Sequence, residues 1–210
     1  MNKKEIDYRL CLVTDREILK GRDLCQCVQA AIAGGITMVQ LREKSASSLT
    51  FYETAKLLKT VTAHYRIPFI INDRLDIALA VDADGLHLGQ EDLPLLTARS
   101  FFGPGKIIGV SVCTVPEALL AQKQGADYLG VGAMFPTPSK QDARQVSLAA
   151  LKEIKNSVHI PVFAIGGIAR ENIESVMAAG IDGVAVISAI LQANDCQNAA
   201  AQLCKLIKKI

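Results

Sequence analysis

The sequence predicts an α/β protein, a single-domain (β/α)8 barrel spanning residues 1–210, on three observations. Short β-branched runs alternate with longer amphipathic stretches from end to end, the pattern of parallel strands joined by crossover helices. Eight such runs can be counted. A turn signal recurs as Ala33-Gly-Gly-Ile-Thr-Met-Val-Gln, Gln124-Gly-Ala-Asp-Tyr-Leu-Gly-Val and Ala179-Gly-Ile-Asp-Gly-Val-Ala-Val, each with a glycine where a helix ends and an apolar strand begins.

Taken in order, the first run is Arg9 to Thr14, followed by a helix over Leu24 to Ala33 with apolar residues at three- and four-residue spacing. Thr37 to Leu41 leads into the helix Ser48 to His64. Pro68 to Asn72, Gly85 to Leu88 and Ile107 to Ser111 are the next three strands, and Pro116 to Gln124 the helix after them. Tyr128 to Gly132 precedes Leu148 to Lys155, Pro161 to Ile165 precedes Glu171 to Ala179, and Gly183 to Ile187 is the eighth strand. Eight units in this length leave about 26 residues apiece, which suits a barrel without large insertions. An open doubly wound sheet is the alternative, since counting strands does not show closure; the GxGxxG fingerprint of its dinucleotide-binding version is absent after the first strand.

Twenty-three basic residues against 21 acidic ones leave a formal net charge of +2, so neither nucleic acid nor an anionic membrane is expected as a partner and any anion site must be local. The six cysteines form neither a CxxC pair nor a cluster with histidine at zinc spacing, and read as reduced thiols. No apolar run approaches the roughly 18 residues of a membrane span, and no signal core follows the first residues. A cytoplasmic protein is the expectation; a homo-oligomer is allowed.

In a barrel the active site lies at the C-terminal ends of the strands, and the polar residues of this chain fall there. They are Thr14-Asp15, Gln40 to Lys44, Asn72-Asp73-Arg74, His87 to Asp92, Ser111, Thr137 to Lys140, Gly166-Gly167 and Ser188. Two anion poles are expected. After strands 7 and 8, Gly166-Gly167 and Ile187-Ser188 would expose backbone N–H groups to a phosphate. Across the middle strands, Arg42 and Lys44 alternate with Glu43, so both cations would point one way in an extended segment. Asp73 and Asp92 are hard oxygen ligands suited to Mg²⁺, which takes one or two carboxylates and completes its shell with water and phosphate. Carboxylates beside cations suggest a metal-bound diphosphate there. His87 reads as a satisfied histidine of the barrel interior; His64 and His159 look peripheral.

The segments Gly35-Ile-Thr-Met-Val-Gln-Leu-Arg-Glu-Lys44, Ile71-Asn-Asp-Arg74, Asp84-Gly-Leu-His-Leu-Gly-Gln-Glu-Asp92, Gly109-Val-Ser111, Thr137-Pro-Ser-Lys140, Ile165-Gly-Gly-Ile168 and Val186-Ile-Ser188 resemble, in order, the signature blocks of the thiamine phosphate synthase family. The resemblance implies a TIM-barrel transferase that joins hydroxymethylpyrimidine diphosphate to a thiazole phosphate and releases diphosphate, with CO₂ also lost from a carboxylated thiazole. Both substrates are small molecules. By the same resemblance Gln40, Arg42, Lys44, Asn72 and Lys140 hold the pyrimidine diphosphate, with Leu41 and Glu43 in the same segment. Asp73 and Asp92 bind Mg²⁺, and Ser111 contacts the pyrimidine. Thr137, Ser139, Gly167, Ile187 and Ser188, with Pro138 between, hold the thiazole phosphate. Arg42, Ser111 and Lys140 are the residues expected at the reacting groups.

Two rivals share the barrel. The related thiazole tautomerases tend to carry histidine where this chain has Cys113 and to lack the Asp and Lys of the diphosphate pole, whereas Asp73, Asp92 and Lys140 are present. A non-catalytic phosphate-ligand sensor would need Gly167 and Ser188 but not the metal-diphosphate pole.

Overall fold

Eight parallel strands close on themselves, the first bonding to the last, in a computed structural model that describes residues 3–137 and 144–207. The strands are β1 (Leu10–Val13), β2 (Met38–Leu41), β3 (Phe69–Asn72), β4 (Gly85–Leu88), β5 (Ile107–Val112), β6 (Tyr128–Val131), β7 (Val162–Ile165) and β8 (Gly183–Val186). Closure rests on β1 pairing with both β2 (Cys11 opposite Met38) and β8 (Cys11 opposite Ala185). The open-sheet alternative is thereby excluded.

The helices are α1 (Leu24–Ala33), α2 (Ser48–Tyr65), α3 (Leu75–Ala80), α4 (Leu95–Phe102), α5 (Val115–Lys123), α6 (Leu148–Ser157), α7 (Ile173–Met177), α8 (Ser188–Leu191) and α9 (Cys196–Ile207). Five begin at side-chain caps: Asp23, Ser47, Thr114, Ser147 and Asp195 accept the N–H groups of Gln26, Thr50, Glu117, Ala150 and Asn198. Among the described residues no helix is long and apolar enough to cross a membrane.

Apolar residues pack in two places. The larger core lies between strands and helices, with Leu12, Val39, Ile71, Leu86, Leu129 and Val184 facing out of the barrel. The smaller fills the barrel itself with Cys11, Val13, Met38, Ile70, Ile107, Tyr128, Phe163 and Ala185. Large rings need small neighbours in so narrow a space. A Cβ on Gly109 would fall inside the Tyr128 ring, and one on Gly130 would lie 3.1 Å from Cε1 of His87. Tyr8 covers the N-terminal mouth, its ring 5.9 Å from Tyr128 and 5.6 Å from Phe163. Burial pushes the thiol of Cys11 well above its usual range, which leaves it protonated inside the barrel.

The repeated turn has a physical cause. Asp84, Asp127 and Asp182 each precede an even-numbered strand and accept the N–H of the strand before it, from Phe69 (2.9 Å), Ile108 (2.8 Å) and Val162 (2.8 Å). Each also meets a cation from an outer helix: Lys59 (2.9 Å), Arg99 (2.6 Å) and Lys155 (2.6 Å). Thr37 takes the same place before β2, its Oγ1 accepting the Leu10 N–H at 3.1 Å. The N-terminal face is thus tied pairwise, strand to strand and strand to helix. Replacing Asp127 with alanine strands the Ile108 N–H and removes a partner from Arg99, a loss of about 1.5–3 kcal/mol. Urea denaturation should show that loss, and a much smaller one for Asp82→Asn, which removes an exposed charge and keeps a residue suited to the left-handed backbone there.

Candidate active site

Because all eight strands run the same way, their C-terminal ends form a single rim, and it gathers the polar residues. At its β1–β2 corner Thr14, fully buried, accepts the Arg42 N–H at 3.0 Å, while its own N–H bonds the Gln40 carbonyl at 2.9 Å. This strap holds the chain leaving β2, and the Arg42 guanidinium lies 3.8 Å from Asp15.

β2 ends at Leu41, so residues 42–44 lie in the loop beyond the strand. Arg42 is half-buried and Lys44 exposed. Glu43 accepts two hydrogen bonds from Arg16, at 2.9 and 3.1 Å, and only 5% of its side chain is exposed. Leu41 lies in the core between strands and helices. Any part these two play toward a ligand therefore falls to their backbone.

Asp73 follows β3 in the left-handed region (φ 63°), which aspartate tolerates better than most residues. Its N–H extends the ladder to the His87 carbonyl at 2.8 Å, so the exposed carboxylate stands on a fixed backbone. On the neighbouring strand's loop, Asp92 accepts the Gly89 N–H at 2.6 Å through Oδ2. Among the described residues no group of three or more His, Cys, Asp or Glu could hold a metal. Two carboxylates on adjacent loops still suit Mg²⁺, which relies on water and substrate oxygen for most of its shell. Arg74 turns away, to Asp76 at 2.6 Å and Ser48 at 2.9 Å, and braces the start of α2.

Inside the rim His87 is buried with both ring nitrogens engaged, Nδ1 2.9 Å from the Tyr128 hydroxyl and Nε2 2.9 Å from Ser111 Oγ. The interior-histidine expectation thus fits. Gln90 braces the same strand end by donating to the Ser111 carbonyl at 2.6 Å. Cys113 donates its backbone N–H to Glu117 at 2.6 Å. Sequence reasoning missed the part of Tyr128, which sits in an apolar strand run with only its hydroxyl to mark it.

On the opposite side of the rim Gly166 and Gly167 have φ values of 98° and 65°. Asn172 locks this turn, donating to the Gly167 carbonyl and accepting the Ala169 N–H, both at 2.9 Å. The chain leaving β6 crosses over it, with Met134 donating to Ile165 and Phe135 to Gly166, each at 3.0 Å. Ile187 and Ser188, both half-buried, open α8. Thr137 is half-buried in the loop after β6; Pro138, Ser139 and Lys140 lie outside the described residues.

The sequence pattern described as thiamine monophosphate synthase matches residues 10–190. The chain belongs to that family. It is 55% identical over 206 residues to the thiamine-phosphate synthase of Clostridium acetobutylicum, covering 98% of each chain. Over 203 residues it is 56% identical to the thiamine-phosphate synthase of Clostridium tetani, covering 97% of each. The solved thiamine phosphate pyrophosphorylase of Pyrococcus furiosus superposes with a TM-score of 0.90 at 44% identity, covering 97% of both chains.

A Cβ on Gly167 would lie 2.6 Å from Phe135 Cβ, at a backbone angle that β-branched residues avoid. Gly167→Val should lower the melting temperature by straining the turn, at a cost of about 1–3 kcal/mol, with or without ligand. An unchanged melt would show that the crossing segment yields.

Proposed function

We propose that the chain is a thiamine-phosphate synthase, a transferase joining hydroxymethylpyrimidine diphosphate to a thiazole phosphate and releasing diphosphate, with CO₂ lost when the thiazole is carboxylated. The observation that carries this reading is the family's full set of blocks in order along a chain 55% identical to a thiamine-phosphate synthase, with the described ones on a single rim. The unit we propose is one barrel domain, cytoplasmic, with two small-molecule substrates and neither nucleic acid nor membrane as partner.

Gln40, Arg42, Lys44, Asn72 and Lys140 hold the pyrimidine diphosphate, and Ser111 the pyrimidine. Arg42 is suited to the task because the Thr14 strap fixes its backbone, so little order is lost when its guanidinium meets phosphate oxygens. Asp73 and Asp92 are the residues that would hold Mg²⁺, which there neutralises charge on the diphosphate. As the C–O bond breaks, Arg42, Lys44 and Lys140 stabilise the anion that departs. The electron-rich aminopyrimidine spreads the positive charge left on its methylene carbon. Thr137, Ser139, the Gly167 backbone, Ile187 and Ser188 hold the thiazole phosphate so that the ring nitrogen faces that carbon and attacks it. No protein nucleophile is needed.

Release of diphosphate should require both substrates and Mg²⁺. A coupled phosphate assay with each substrate alone and with the pair tests this, and equal release in the absence of thiazole phosphate would contradict joining.

The two poles should also separate by mutation. Asparagine at position 73 keeps the shape and the backbone angle but removes the charge, so Asp73→Asn should shift the Mg²⁺ dependence and lower turnover by roughly ten- to hundredfold. Ser188→Ala should raise the KM for thiazole phosphate roughly two- to tenfold and leave the Mg²⁺ dependence alone. Initial rates in titrations of metal and of each substrate give both answers; parallel shifts in the two variants would merge the poles.

A further inference from the structure

Three polar side chains are linked inside the barrel beneath the rim. The Tyr128 phenol on β6 meets His87 Nδ1 on β4 at 2.9 Å, and His87 Nε2 meets Ser111 Oγ on β5 at 2.9 Å. The end at the rim, Ser111, is assigned above to the pyrimidine. The other two members, His87 and Tyr128, have no part in the reaction as described.

The proton directions in this chain can be worked out. Burial holds the Tyr128 phenol well above the usual tyrosine range, so its O–H is present throughout the physiological range. His87 Nδ1 is the hydrogen-bond partner of the buried phenol, so the phenol proton goes there; a buried O–H with no acceptor costs about 1–3 kcal/mol. With Nδ1 as acceptor, the neutral ring carries its proton on Nε2 and donates to Ser111 Oγ. Ser111 already accepts one hydrogen bond, so its own proton is turned toward the rim. Gly130, opposite Ser111 in the strand register, leaves the space that the imidazole occupies.

We propose that His87 and Tyr128 are positioning residues for substrate recognition: they fix the Ser111 hydroxyl as a donor, aimed at a ring nitrogen of the bound aminopyrimidine. Such a donor matches the lone pair of a ring nitrogen and does not match the N–H groups of the exocyclic amine. The inference rests on the assignment of Ser111 to the pyrimidine. It adds a specificity element, since a serine with its proton free to rotate could accept as readily as donate.

The test is a double-mutant cycle on Ser111→Ala and Tyr128→Phe, with KM measured separately for the pyrimidine diphosphate and for thiazole phosphate. Ser111→Ala should raise the pyrimidine KM by roughly three- to tenfold, the scale of one lost neutral hydrogen bond. Tyr128→Phe should raise it in the same direction by a smaller factor. In the Ser111→Ala background Tyr128→Phe should add nothing, and the thiazole phosphate KM should stay unchanged throughout. A merely structural role for Tyr128 would persist in both backgrounds and would touch both substrates, so equal factors overturn the relay. So does no effect of Tyr128→Phe while Ser111→Ala is effective. If Ser111→Ala itself leaves the pyrimidine KM unchanged, the assignment of Ser111 fails and the relay falls with it, a distinguishable result. His87→Gln keeps a donor at the Nε2 position and should retain most of the affinity that His87→Leu loses; equal loss in the two, with both folded by thermal melt, also overturns the proposal.

Discussion

Closure of the sheet is the constraint on which everything else depends. A closed parallel barrel has no edge strand, and it places the ends of eight strands in one ring, so residues from Thr14 to Ser188 meet at one rim. Closure also creates an interior that must be filled. Here rings and glycines divide that space, Tyr128 over Gly109 and His87 against Gly130. Two of those filling side chains are polar, and the barrel satisfies them with one another and with Ser111 at the rim. The packing that closes the fold therefore reaches into the chemistry of the site.

The two faces of the barrel divide the work. At the N-terminal face Asp84, Asp127 and Asp182 tie strands to one another and to outer helices, and their charges are matched by Lys59, Arg99 and Lys155. At the C-terminal face Asp73 and Asp92 are instead held by backbone contacts, to the His87 carbonyl through the Asp73 N–H and to the Gly89 N–H through the Asp92 carboxylate. The same residue type is a clamp at one end and a candidate metal ligand at the other. Glu43 marks the boundary, standing beside the site cations in sequence yet turned to Arg16.

Most of the fold was legible because strand period and turn chemistry agree. Gly85–Leu88 has the bounds the sequence suggests, and the other strands differ at their ends for local reasons. Pro68 and Pro161 lack an N–H but still accept through their carbonyls, from Val39 at 3.1 Å and Leu129 at 2.9 Å. Thr37 caps β1 with its side chain instead of joining β2. The expected helix Glu171 to Ala179 shortens to Ile173–Met177 because Asn172 is drawn to the glycine turn. Positions of the rim residues were legible from strand ends; directions of side chains were not. Glu43, Arg74 and Tyr128 depend on partners from distant strands and helices, which no local spacing encodes. The expected roles of Pro138, Ser139 and Lys140 concern a segment outside the described residues.

The central claim is that one rim holds two anionic substrates at once, a diphosphate with Mg²⁺ at the middle strands and a monophosphate at the last two. Isothermal calorimetry of thiazole phosphate binding, with and without saturating magnesium diphosphate, tests it most directly. The account predicts one equivalent of thiazole phosphate bound in both cases. Mutually exclusive binding would contradict it, because a single shared anion site could not align two substrates for joining.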